Sequence, residues 1–97
     1  MKKVLVVDDC ATETHEISRI LKKYGYDVFF AETGEAGVEL ADKESPDLVL
    51  MDIVMPGING FQATRQLNRN PRTSSIPVIM VTTKNQASDR EWSRKQG

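Results

Sequence analysis

Two short apolar runs in this chain each end in acid. Val4-Leu5-Val6-Val7 leads into Asp8-Asp9, and Leu48-Val49-Leu50-Met51 leads into Asp52. An apolar run without polar alternation reads as a strand buried on both faces, the habit of parallel sheets. Parallel strands share one C-terminal edge, and open α/β sheets bind their ligands there. A fold that uses both runs as strands therefore delivers Asp8, Asp9 and Asp52 to the same rim. Past Asp52, Pro56-Gly57 and Asn59-Gly60 are turn residues by composition.

The rest of the chain fits the same scheme. Lys3 to Val7 reads as the first strand, rich in β-branched residues. From Ala11 the period becomes helical, with Ala11, Ile17, Ile20, Leu21 and Tyr24 as the expected apolar face and Gly25 as the stop. Asp27 to Ala31 is a short second strand, expected at an edge. Thr33 is the expected N-cap of a second helix carrying Ala36, Leu40 and Ala41, broken at Ser45-Pro46. Leu48 to Met51 is the third strand. Gly60 to about Arg69 is a third helix, with Phe61, Ala63, Thr64 and Leu67 on one side, ended by Asn70-Pro71. Ile76 to Val81 is a fourth strand, and Asn85 to Gln96 a polar fourth helix anchored by Ala87 and Trp92. The order βαβαβαβα predicts a doubly wound parallel sheet with right-handed crossovers and helices on both faces.

Bulk properties narrow the class. At 97 residues the chain is one domain, and 39% hydrophobic with 28% charged residues suits a globular protein. A net charge of −1 without a basic run favours neither nucleic acid nor an anionic membrane. The apolar stretches are too short to span a bilayer. Met1-Lys2-Lys3 leads straight into a strand-like run, without the apolar region and cleavage site of a secretory signal. The one cysteine, Cys10, excludes an internal disulfide, so a cytoplasmic setting is expected.

Three carboxylates at one rim repel each other, and either a hard divalent cation or proton sharing, as in acid proteases, resolves this, although the sequence shows no substrate cleft for the latter. Mg²⁺ takes oxygen ligands at roughly 2.0–2.1 Å and keeps several waters, so one or two carboxylates suffice. An aspartate beside such an ion can also act as a nucleophile toward phosphorus, forming an acyl phosphate. Thr82 and Thr83, at the end of the fourth strand, are the hydroxyls available to a phosphoryl group there.

These residues resemble a known family. Val6-Val7-Asp8-Asp9, then Met51 to Gly60, then Pro77-Val78-Ile79-Met80-Val81-Thr82-Thr83 are similar in order and spacing to the receiver domain of two-component response regulators. The stretch from Met51 through Leu67 looks, more narrowly, like the single-domain PilG/PilH type of twitching-motility regulator. The resemblance implies a flavodoxin-like (CheY-like) fold with strand order 2-1-3-4 here. It implies Asp52 as phosphoacceptor, Asp9 as direct Mg²⁺ ligand, and Asp8 acting on the metal through water. It also implies the Val54 carbonyl as a further ligand, Thr82 as switch hydroxyl and Thr83 as a backbone donor to the phosphoryl group. Val54 and Lys84 fall where the family tunes the lifetime of the acyl phosphate. The implied partners are a histidine kinase and an output protein of a pilus or motility system, with no nucleic acid and no membrane.

The family's fifth strand, with its Lys-Pro and switch aromatic, and its fifth helix have no counterpart before Gly97, so residues 1–97 read as a C-terminally incomplete receiver domain. Either a longer chain supplies them, or strand four is an apolar edge through which the chain forms a homodimer. Two rival functions differ in class. An Asp-nucleophile phosphatase needs an acid two residues after the nucleophile, where Val54 stands. A degenerate receiver that works by binding alone is opposed by the intact acids and favoured by the missing lysine. Cys10 and His15 read as a small residue at a helix start and a solvent-facing side chain. Met51, Met55 and Met80 read as packing residues.

Overall fold

A computed structural model of the chain describes residues 2–81. Its elements are β1 (Lys3–Val7), α1 (Ala11–Lys23), β2 (Asp27–Ala31), α2 (Gly34–Glu44), β3 (Leu48–Asp52), α3 (Gly60–Arg69) and β4 (Val78–Val81). All pairings are parallel and the sheet order is β2-β1-β3-β4, so the doubly wound topology and the edge position of β2 are as expected. Thr82, Thr83, Lys84 and the expected helix Asn85 to Gln96, with Ala87 and Trp92, lie outside the described residues.

The order decides which helix covers which face. β1 to β2 steps one way along the sheet, whereas β2 to β3 and β3 to β4 step the other way. Right-handed crossovers then put α1 on one face and α2 with α3 on the opposite face. The core lies on the α2/α3 side, where Leu5, Val7, Val49 and Met51 meet Ala41, Ala63 and Leu67. On the α1 side Val4 and Val6 are buried, but Leu48 and Leu50 are only half-buried and Ile79 is 50% exposed. The third strand is thus sealed on one face and half-covered on the other.

The helix ends follow local chemistry. Gly25, at φ +88°, closes α1, its N–H donating to the Lys22 carbonyl at 3.0 Å. The Thr33 hydroxyl caps α2, accepting from the Ala36 N–H at 3.1 Å. Ser45 turns left-handed at φ 48° to end α2. Two expectations are corrected. The expected apolar face of α1 holds only in part: Ile17 and Leu21 are half-buried, Ala11, Ile20 and Tyr24 are exposed, and the one fully buried residue of the helix is Ser18. β4 begins at Val78 rather than Ile76. The Ile76 N–H closes a turn on the Thr73 carbonyl at 3.0 Å, and Pro77 has no N–H to offer a ladder.

α2 lies close on β1 because Gly37 has no side chain. A Cβ there would meet Val7 Cγ2 at 2.7 Å and Cγ1 at 3.0 Å, and Val7 is fully buried. Overpacking of this kind costs about 1–3 kcal/mol. Gly37→Ala is therefore expected to lower unfolding stability in urea despite its gain in helix propensity. An unchanged or raised urea midpoint would contradict the close packing.

One ion pair ties α2 to the turn after α3. Arg72 donates to both Asp42 oxygens, each at 2.7 Å, and the Asn70 amide adds a bond at 2.9 Å. Arg72's hydrogen bonds, then Asn70's, hold the Asp42 carboxyl below its ordinary value of 3.8. A carboxyl depressed in the folded state adds stability that is present above its unfolded pKa and lost as pH falls through its folded one. The melting-temperature gap between wild type and Asp42→Asn is expected to be open at neutral pH and to close only below pH 3.8. A gap that does not change with pH would refute the pairing.

Candidate functional site

The site begins with strand register. Val7 lies opposite Met51, so Asp8 and Asp52 are the next residues along two adjacent strands. The Asp8 N–H donates to the Ala31 carbonyl at 3.0 Å, carrying the ladder one residue beyond β1. Asp52 stays within β3, in register with Val81, and the Ile53 N–H donates to the Val81 carbonyl at 3.1 Å. Both acids thus hang from backbone held on either side. Asp8 Oδ1 accepts the Cys10 N–H at 2.9 Å, a local turn that starts α1.

An oxygen from each of Asp8, Asp9 and Asp52 lies within 4.8 Å of the others. Asp52 and Asp8 are buried, at 0% and 3% exposure, while Asp9 is exposed. Solvent therefore reaches the cluster from the Asp9 side. Carboxylates this close, two of them out of water, repel each other more strongly than at a surface. The donor set is oxygen throughout, the chemistry that a hard divalent cation such as Mg²⁺ accepts.

The loop after Asp52 is built to stay in place. The Gly60 N–H donates to the Ile53 carbonyl at 3.0 Å, closing residues 53–60 on themselves. A Cβ on Gly60 would run into the Asp52 carbonyl, so only glycine lets α3 start this close to the strand end. Met55 points into the core, while the Val54 side chain is 61% exposed. Asn59 and Gln62 form a capping box with bonds of 2.8 and 2.9 Å that fixes the start of α3. Composition suggested only a turn at Asn59-Gly60. The Asn-x-x-Gln spacing was the signal that could have shown the cap.

The remaining residues singled out by sequence fall as follows. Cys10 is half-buried at the N-cap of α1 with no side-chain capping bond. His15 is exposed. Met51 and Met55 are core residues, and Met80 is partly buried beside them. A groove of about 350 Å³ between α1 and the β2 edge includes His15, Lys22 and Glu32 but none of the three acids. Thr82, Thr83 and Lys84 lie outside the described residues, so their relation to the acids is not part of this geometry.

Comparison with known proteins fits this picture. The family described as the response regulator receiver domain matches residues 4–97. Protein PilH of Pseudomonas aeruginosa PAO1 is 56% identical over 97 residues, all of this chain and 80% of that protein. The Vibrio cholerae chemotaxis protein CheY4 superposes with a TM-score of 0.81 at 28% identity, over 100% of this chain and 81% of that one. The receiver domain of the sensor histidine kinase PA1611, solved with magnesium coordinated in its active-site cleft, gives 0.81 at 28% identity, over 99% and 79%. With its whole length related to one such protein and its acids gathered at the strand ends, the chain belongs to the response regulator receiver domain family.

Proposed function

We propose that this receiver domain accepts a phosphoryl group on Asp52 from the phosphohistidine of a histidine kinase, with Mg²⁺ held at Asp8, Asp9, Asp52 and the Val54 carbonyl. The observation that carries the reading is the meeting of three carboxylates at the rim where β1 and β3 end. The bound ion supplies positive charge against the phosphoryl oxygens. An Asp52 carboxylate oxygen attacks phosphorus as the phosphorus–nitrogen bond breaks. The imidazole nitrogen leaves with the electron pair and takes up a proton, and Asp52 holds an acyl phosphate. Because Asp52 is buried and Asp9 is exposed, the donor approaches over Asp9.

The added phosphate places new negative charge at the end of β3. Thr82, one residue beyond β4, serves as the hydroxyl that turns toward it, and Thr83 supplies a backbone N–H. The equilibrium between two surface states shifts accordingly, and the output is protein binding. Kinship with PilH supports a place in pilus or motility control. None of the described helices is long and apolar enough to cross a membrane. A second copy is a further partner for this reading. Among the described residues β4 pairs only with β3, and it exposes Ile79.

A phosphorylation-independent binding module is the alternative, and acetyl phosphate separates the two. With Mg²⁺ and acetyl phosphate, intact-mass measurement is expected to show one added phosphoryl group. Asp52→Asn or removal of metal with EDTA is expected to abolish it. No gain in wild type would leave the binding-only module, and a gain retained in Asp52→Asn would move the acceptor elsewhere.

A further inference from the structure

The loop that carries Val54 is pressed against the start of α2. Gly34 is the first residue of α2 and is buried. A Cβ on Gly34 would lie 2.6 Å from Ile58 Cγ1, 3.1 Å from Ile58 Cδ1 and 3.1 Å from the Ile58 carbonyl. Ile58 itself is partly buried against the core. One residue away on each side, a Cβ on Gly57 would meet the Glu35 carboxylate at 2.8 and 3.0 Å. Gly57 sits at φ +80°, a conformation that an L side chain rarely takes. The close contact between loop and helix is therefore that of Gly34 with Ile58, while Gly57 lies beside the end of the exposed Glu35 side chain.

This contact bears on Val54 through a short chain of fixed points. Residues 53–60 are closed by the bond from the Gly60 N–H to the Ile53 carbonyl, and Met55 is pinned in the core. Asn59 is committed to the α3 cap. A displaced Ile58 would load a segment with two fixed ends, the α3 cap at Asn59 and the core-bound Met55 that adjoins Val54. We infer that Gly34 is a positioning residue for the metal site: its bare Cα seats Ile58 and thereby sets where the Val54 carbonyl stands relative to Asp8, Asp9 and Asp52. Gly34 touches neither ion nor phosphoryl group. Its closeness to Ile58 spans a sequence gap that no local pattern reports. The inference rests on the proposed Mg²⁺ site.

The test is Mg²⁺ titration of the full chain followed by the backbone amide signals of residues 52–55, with melting temperature measured in EDTA. Gly34→Ala is expected to keep a dispersed spectrum and to weaken Mg²⁺ binding about 10-fold, as outer-shell changes at metal sites do. Ile58→Ala removes the atoms that the new methyl would strike. In that background the Gly34→Ala penalty is expected to fall below about 3-fold, the coupling of two residues in contact. Gly34→Ala binding like wild type, or an undiminished penalty in the Ile58→Ala background, would overturn the inference. Should Gly34→Ala not fold, Ile58→Ala decides alone, since loss of the seat from the loop side weakens Mg²⁺ binding severalfold and an unchanged affinity overturns it. A wild-type chain whose amides do not respond to Mg²⁺ sinks the metal reading itself, a result distinct from failure of the Gly34 contact.

Discussion

Val7 and Met51 face one another in neighbouring parallel strands, and everything the rim can do follows from the next residue on each. Parallel pairing leaves both strands ending at one edge, with backbone carbonyls and N–H groups still partly engaged. Here the ladder continues just far enough, through Asp8 to Ala31 and Ile53 to Val81, to hold the two buried acids still. Carboxylates gathered this closely repel one another. The core beneath offsets this, with Leu5, Val7, Val49 and Met51 closed over by α2 and α3.

The same logic explains why the surroundings are glycine-rich at a few points only. Gly60 lets α3 begin against the Asp52 carbonyl, Gly37 lets α2 lie on Val7, and Gly34 lets Ile58 seat on α2. Each removes a side chain where two backbones, or a backbone and a buried side chain, must approach closely. The rim is thus shaped in part from behind, by how closely α2 and α3 approach it.

Much of this was legible in the chain. The uninterrupted apolar runs announced strands paired on both sides, and the acids at their ends announced a site. The helix stops at Gly25 and Ser45-Pro46 were equally plain. Periodicity served only in part on α1, where Ile17 and Leu21 are half-buried, Ile20 and Tyr24 stay in solvent, and the fully buried residue is the small polar Ser18. A small buried side chain packs well but is a poor hydrophobic signal. The start of β4 was read too early because Ile76 looks like a strand residue, yet its N–H belongs to the turn from Thr73. The pairs Gly34–Ile58 and Asp42–Arg72 were beyond reach, since each joins residues whose neighbourhood exists only once α2 has docked.

The proposed metal site requires that a divalent cation bound among Asp8, Asp9 and Asp52 relieve their mutual repulsion. Thermal melting of wild type and Asp9→Asn, each in EDTA and in Mg²⁺, tests it most directly. Removing one charge is predicted to raise the melting temperature in EDTA, and Mg²⁺ is predicted to raise that of wild type more than that of the variant. A variant that melts lower than wild type in EDTA, together with a wild type indifferent to Mg²⁺, would contradict the account.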